Sequence, residues 1–338
     1  MITIAHLMDD FAMGGVTRAL TLFEEPMIKR QACSEVVPVR SSARLARRLQ
    51  ADLIVDHAAL SWSRLPFLIS LRARNPQARI VHVEHSYTRA FEQREVSATV
   101  RFRAMLRIAA SLFDDIVCVS DAQRRWLLSE VGVDPAKLRV IYPWTDRSEL
   151  FALPGAKPRA DRPVRLLTYG RYAGVKNFAE LITAMRFTDP GKAQLTVFGD
   201  GPERALLEAL AADLPHVQVH GPSPDPKAYL ADCDAVIVPS RYEAFGLVAT
   251  EARMAARPVS VADIDGLPEQ VGKGGYVAPM NTATDIAKAI RWATRADLAH
   301  LGAAARRGVK SQHTKILHLW CQLIQDVHSD RCGQTVSG

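Results

Sequence analysis

The sequence predicts an α/β protein of two domains, each a parallel sheet covered by helices. Three observations carry this. Short apolar runs alternate with amphipathic segments along nearly the whole chain. The alternation breaks once, at residues 151–163, where "ALPGAKPRADRP" is rich in Pro, Gly and charge and has no period, and then restarts. Finally, 338 residues are long for one core and comfortable for two.

The elements follow in order. In residues 1–150, strands are expected at "MITIAHL", "EVVPV", "ADLIVDH", "RIVHVEH", "IVCVS" and "LRVIYP". Runs so uniformly apolar suit strands buried on both faces. Helices are expected between them, among them "VTRALTLFEEPMI" and "DAQRRWLLSEVG". After the linker, residues 164–311 offer strands at "RLLTYG", "QLTVFG", "VQVHG", "AVIVPS" and "PVSVA". Their helices include "NFAELITAMR", "PERALLEALAA", "PKAYLADC", "FGLVATEARMAA" and "ATDIAKAIRWATR". Residues 312–338 read as a closing helix, expected to cross back to the first domain, and a tail. Two βα domains of this kind are expected to face each other across a cleft, with ligands at the carboxyl ends of the strands.

Composition narrows the class. With 48% hydrophobic and 23% charged residues the chain is globular, not disordered. Its five cysteines are scattered, with no CxxC pair and no Cys/His cluster, which points away from disulfides and structural zinc and toward a reducing compartment. Asp9 and Asp10 stand where a signal peptide needs basic and then apolar residues, and no apolar run approaches the ~20 residues of a membrane span. A cytoplasmic protein is expected. The net charge of +7 is uneven: residues 42–107 hold twelve Arg against five acidic residues. Solvated helix faces explain this, and so does a surface for an anionic membrane leaflet or a phosphorylated acceptor. Nucleic acid is not expected, because aromatics do not interleave with the basic residues and no recognition motif is present.

The chemistry gathers at predicted strand ends. "SRYEAFGLVATEA" places Glu243 in the loop before a helix starting near Phe245 or Gly246. Glu251 then falls inside that helix, roughly 8 Å further along its axis. The amides of Phe245, Gly246 and Leu247 would be open donors at the helix N-terminus. Carboxylates flanking such donors would repel phosphate, so they suit hydroxyls on either side of it. In "RLLTYGRYAGVKNFAELITA", Arg171 and Lys176 follow a strand and precede a helix, where two cations could hold a diphosphate. Gly14 and Gly15, after the first strand, allow backbone to approach a phosphate, although a glycine pair is more often a plain turn. A helix-capping Glu243 and a surface Glu251 would explain either residue alone but explain the pair poorly.

These segments together resemble the GT4 family of retaining glycosyltransferases with the GT-B fold, two Rossmann-like βαβ domains. Glu243 and Glu251 match its E-x7-E motif, and "GRYAGVKNFAELITA" looks like its GR…K segment. "LTVFGDGPERALLEAL" and "RPVSVADIDGLPEQV" match further landmarks, and "VCVSDAQRRWL" its first-domain serine strand. The likeness is dense over residues 164–278 and looser before. It implies an acceptor-side first domain and a donor-binding second one. Arg171 and Lys176 would hold the donor diphosphate and Gly15 would offer it an amide. Glu251 would bind the ribose and Glu243 the transferred sugar. Gly221 and Pro222, in the loop starting at His220, would border the base, and His85 would face the sugar at the reaction centre. Two departures bear on loop shape: Trp144 in "YPWTD" replaces a usual glycine, and Arg257 stands where a glycine would end a helix in the left-handed region.

The resulting expectation is metal-independent transfer of a sugar from a nucleoside-diphosphate donor to an acceptor hydroxyl, with retention and without a cofactor. Polysaccharide, lipopolysaccharide or glycolipid synthesis is the implied setting, and the Arg-rich stretch permits a lipid-linked acceptor at the inner membrane face. The acid pairs at Asp232 and Asp263 read as helix-end and loop residues, not as metal ligands. The rival readings are a sugar-nucleotide epimerase, which would need further acid and base groups, and a non-catalytic nucleotide-sugar binder. A nicotinamide enzyme is not expected, because no GxGxxG follows a strand with an acidic residue about twenty positions later.

Overall fold

Twelve short strands with uniformly apolar sequences form two six-stranded sheets, all of whose pairings are parallel. The computed structural model describes residues 1–9, 17, 19–156, 162–223 and 225–336, with 330–336 as backbone only. The chain divides into two compact units, Met1–Asp146 with His313–Gly338, and Arg147–Gln312.

In the first unit the strands are β1 (Ile2–Met8), β2 (Ala32–Pro38), β3 (Leu53–Asp56), β4 (Arg79–Glu84), β5 (Asp115–Cys118) and β6 (Leu138–Val140), in the spatial order β2-β1-β3-β4-β5-β6. β3 and β5 are buried at every position, as a covered parallel sheet requires. Its helices are α1 (Pro26–Lys29), α2 (Leu65–Arg74), α3 (Arg89–Glu95), α4 (Thr99–Ser111) and α5 (Asp121–Trp126). Leu65, Leu68 and Leu71 of α2 join Met105, Leu106 and Ala109 of α4 in one core with Ile54, Ile80 and Ile116 of the sheet. Each such large side chain contributes about 1.5–3 kcal/mol by leaving water.

Two expected helices take a different form. "VTRALTLFEEPMI" splits into a 3₁₀ turn, Leu20–Glu24, and α1, because Pro26 forces the preceding Glu25 into an extended conformation (φ −64°, ψ 138°) and itself starts a helix without cost. "DAQRRWLLSEVG" is α5 followed by one π-helical turn, Leu127–Val131, closed by left-handed Gly132.

The second unit holds β7 (Val164–Arg171), β8 (Ala193–Asp200), β9 (Val217–His220), β10 (Ala235–Val238), β11 (Val259–Ala262) and β12 (Gly275–Ala278), in the order β12-β11-β10-β7-β8-β9. Its helices are α6 (Phe178–Met185), α7 (Arg204–Ala211), α8 (Lys227–Asp232), α9 (Leu247–Met254), α10 (Ala283–Arg295) and α11 (Leu298–Lys310), and α12 (Gln312–Val336) leads back into residues of the first unit. β12 was not expected. It is short and half-buried, and it opens on Gly275, where a Cβ would lie 2.0 Å from the Val259 carbonyl oxygen, so close pairing with β11 demands glycine there. The chain passes between units at Asp146–Arg147, ahead of the expected linker. Ser148–Ala152 forms a 3₁₀ turn with Leu150 fully buried, while residues 157–161 lie outside the described residues.

These strand orders create one reversal of direction in each sheet, between β1 and β3 and between β7 and β10. Loops leaving the two strands at a reversal diverge to opposite faces and leave a crevice, the usual ligand site of such sheets.

Candidate functional site

In the second unit the loops at the reversal are those after β7 and β10, and they carry both singled-out motifs. Three contacts join them. The Arg241 amide donates to the Val175 carbonyl at 2.7 Å, Arg241 Nε donates to Asn177 Oδ1 at 2.9 Å, and Lys176 Nζ pairs with Glu243 Oε2. Ser240 Oγ also donates to Glu243 at 3.2 Å, and the Glu243 amide is taken by Asp265 at 3.1 Å. Expected to serve separately, as phosphate cation and sugar acceptor, Lys176 and Glu243 form one half-buried pair. An ammonium has three donors, so Lys176 can keep Glu243 and still meet a phosphate oxygen. Arg171 ends β7, exposed and without a partner among the described residues.

Helix α9 starts at Leu247, with Gly246 as its cap at φ +90°. A glycine at a helix start lined with open donors would allow a ligand close approach. The structure shows a different need: a Cβ there would lie 2.6 Å from Leu267 Cδ2 and 3.4 Å from Glu243 Cγ, in a conformation that costs other residues ~1–2 kcal/mol. The cap and first turn aim the Gly246 and Leu247 amides out of the helix ladder, beside Glu243. Phe245 is buried, its carbonyl accepting from Gln270 Nε2 at 3.4 Å.

Glu251 lies one turn inside α9 and is buried, not on the surface. The Tyr169 hydroxyl, on β7, donates to its Oε2 at 2.5 Å, and Arg147 Nε stands 3.7 Å from its Oε1. Burying a carboxylate costs several kcal/mol unless hydrogen bonds and opposite charge offset it, which Tyr169 and Arg147 do. Burial and then the Glu251 charge push the Tyr169 phenol well above its ordinary range, so it stays a donor. Arg147 also meets Asp225 at 3.1 Å, in the loop that follows Gly221 and Pro222. The ribose carboxylate expected from the motif is thus tied to the expected base loop through one arginine. Neither Tyr169 nor Arg147 carried a motif signal. The pointer was only position, Tyr169 two residues before Arg171 on the same strand.

Arg257 is the other surprise. Arg257 itself does not take the left-handed position at the helix end; Ala256 does (φ +52°), at a cost of about 1–2 kcal/mol for a residue with a Cβ. The buried guanidinium donates to the carbonyls of Leu230, Ala231, Pro154 and Ala255 at 2.8–3.1 Å, filling the open acceptors at the ends of α8 and α9. Asp232 and Asp234 sit at the amino end of β10, remote along the strand from Glu243, in ion pairs with Arg165 and Arg162.

In the first unit Gly14 and Gly15 lie outside the described residues. His85 follows β4, and it is not alone. His6 on β1, His57 after β3 and His85 form a stack in which His6 Nδ1 is 3.0 Å from His57 Nε2 and His57 Nδ1 is 3.1 Å from His85 Nε2. Burial holds all three neutral, lowering His6 to about 3 and His85 to about 4, with the neighbouring histidines adding to the effect at His57. Beneath them His82 is the opposite case. Burial would lower it, but Asp56 at 3.3 Å and Glu84 at 3.4 Å outweigh that and raise it to about 9. Arg64 completes this buried cluster on Asp56 at 2.5 Å. Trp144, the other departure, is buried and stacks on His313 at 5.2 Å.

The arginine surplus is partly internal. Arg64, Arg72, Arg79, Arg89 and Arg103 are in ion pairs with Asp56, Asp114, Asp115, Glu130 and Glu92. Arg101 lies over the exposed Trp62 ring, and Leu45, Ile69, Val100 and Ile108 are exposed as well. No helix among the described residues is long and apolar enough to cross a membrane.

Two family models divide the chain between them, Glycosyltransferase Family 4 over residues 23–149 and Glycosyl transferases group 1 over residues 153–307. Each part of the chain is thus similar to a glycosyltransferase domain. Among curated relatives, the MMP alpha-(1->4)-mannosyltransferase of Mycolicibacterium hassiacum is 25% identical over 256 residues, covering 71% of this chain and 60% of the relative. The D-inositol 3-phosphate glycosyltransferase of Kineococcus radiotolerans is 33% identical over 212 residues, 53% of this chain and 48% of the relative. The match thus spans only about half to three fifths of those relatives' length. Among solved structures, sucrose-phosphate synthase from Thermosynechococcus elongatus aligns with TM-score 0.78 at 21% identity, over 98% of this chain and all of that one. Anabaena HepE, solved with UDP and glucose, aligns with TM-score 0.74 at 17% identity, over 96% of this chain and all of that one. The fold is therefore GT-B, two Rossmann-like domains.

Proposed function

We propose that this protein transfers a sugar from a nucleoside-diphosphate donor to an acceptor hydroxyl, with retention and without a metal. The observation that carries the reading is the Lys176–Glu243 pair, held at the sheet reversal beside the left-handed cap of α9. A leaving diphosphate needs positive charge and fixed donors where its charge develops. Lys176, Arg171 and the amides of Gly246 and Leu247 at the start of α9 supply both. Glu243 accepts from hydroxyls of the transferred sugar, and Glu251, positioned by Tyr169, takes the ribose diol. Gly221 and Pro222 border the base. The UDP in the HepE structure supports a uridine donor as the first to try. Among the described residues no carboxylate is an evident nucleophile, so we favour a front-face route in which the departing phosphate takes the acceptor proton.

The acceptor is read from the first unit. Exposed Leu45, Trp62, Ile69, Val100 and Ile108, with Arg101 on the Trp62 ring, would suit a lipid-linked acceptor on an anionic cytoplasmic leaflet.

Thermal unfolding with UDP, GDP and ADP tests the donor. The cognate nucleotide at a hundred times its Kd should stabilise by about 2.7 kcal/mol. Transfer should then fall by roughly 10²–10³ in Lys176→Ala and in Glu243→Ala. Wild-type turnover in both variants would reject the assignment.

A further inference from the structure

The three-histidine stack of the first unit has a direction. Each ring is neutral and holds one proton, so only two arrangements satisfy both ring-to-ring bonds. In one, His6 Nδ1–H donates to His57 Nε2 and His57 Nδ1–H donates to His85 Nε2. In the other, both bonds run the opposite way. The far end decides between them. His6 Nε2 is buried and has no partner among the described residues, beside the Phe23 ring at a centroid distance of 4.3 Å. The reverse arrangement would place a proton on that atom and bury a donor with no nitrogen or oxygen acceptor among the described residues. Orphaned buried N–H groups are rarer than under-satisfied acceptors, because the donor forfeits the bond it made in water. The forward arrangement leaves only a lone pair there.

We propose that His57, backed by His6, is a positioning residue that holds His85 as its Nδ1–H tautomer, so that His85 offers substrate a hydrogen-bond donor and no basic nitrogen. His85 Nε2 is consumed by His57, and Nδ1–H is the atom left over. His57 and His85 line a small cavity of about 30 Å³ whose other walls include Leu22, Val83, Ile141 and Trp144, so the pair sits in apolar surroundings in which a single hydrogen bond counts for more. The groups that bear on His85 electrostatically are Glu84, His82 and Asp56, whose charges are mutually compensated in the cluster beneath it. The partner of His85 is therefore an oxygen: a sugar hydroxyl or phosphate oxygen, accepting. His85 does not deprotonate the acceptor. That a sugar oxygen is the partner rests on the transfer reaction proposed above, whereas the tautomer does not.

Long-range ¹H–¹⁵N spectra of the full-length protein with labelled histidine, at pH 7.5, read the tautomer directly. His85 should carry its proton on Nδ1, and His57→Phe should release it to the Nε2–H form. His57→Asn, whose amide still reaches as a donor, should restore Nδ1–H. A proton on His85 Nε2 in the wild type, or no change in His57→Phe, would overturn the proposal. A separate arm uses turnover: His85→Asn places a donor near the Nδ1 position and should retain at least tenfold more transfer than His85→Leu. Equal loss in both, with the Nδ1–H form seen by spectroscopy, would overturn the substrate contact and leave the tautomer and the proposed reaction standing.

Discussion

Glu251 shows how a single carboxylate can be made to wait in a buried place. Tyr169 and Arg147 compensate its charge before any ligand arrives, so Tyr169→Phe should remove a hydrogen bond to an ion worth about 1.5–3 kcal/mol. Part of that loss should appear as a lower unfolding midpoint. If Glu251 addresses the ribose, the donor KM should rise while kcat moves less, which steady-state kinetics on the variant would read. An unchanged KM would detach Glu251 from the nucleotide. At this scale the sequence was informative about residue type and silent about partners. Two glutamates eight positions apart raise the expectation of a site. That one pairs with Lys176 and the other hides behind a tyrosine depends on side chains from different strands, which spacing along the chain does not reveal.

Among the elements, α9 depends on a single residue at its start. Gly246 combines a left-handed backbone with a Cβ position closed by Leu267, so Gly246→Ala should cost more than the ~1–2 kcal/mol of conformation alone. Calorimetry would measure this, and activity should drop with it because Glu243 moves with the cap. Elements were largely legible because buried parallel strands announce themselves: all eleven strands expected from apolar runs are present, at positions differing by at most three residues at their ends. β12 escaped because glycine and partial burial erased its pattern. The helix split at Pro26 was readable from proline chemistry and should have been anticipated. The π turn after Trp126 had no local signal. Arg257 is a different case: the loss of an easy left-handed helix end is real, since Ala256 takes that conformation, but the four carbonyls that accept from the guanidinium were not legible in the sequence.

At the scale of the whole molecule, buried histidines should shape stability against pH. His82 is raised in the fold, to about 9 from an ordinary value near 6.5, so its contribution is complete below pH 6.5 and is lost as pH rises through 9. His6 and His85 are lowered, to about 3 and about 4, and their neutral burial holds above pH 6.5 but costs stability progressively as pH falls toward 4. These groups together favour a maximum near pH 6.5, with unfolding midpoints lower at pH 5 and at pH 9. His82→Gln should flatten the alkaline arm while leaving the acid arm, and an unchanged alkaline arm would show that His82 is not charged in the fold. The order of assembly follows from where α12 belongs. Trp320, against Phe23 at 4.9 Å, and buried Leu323, Ile324 and Val327 complete a unit whose other residues precede Arg147. A ribosome therefore has to finish the entire second unit before the first can close, and the nascent amino-terminal half waits with an apolar seam uncovered. Translation arrested after Gln312 should release a chain that aggregates through that seam, and supplying the missing helix as a peptide should rescue its solubility.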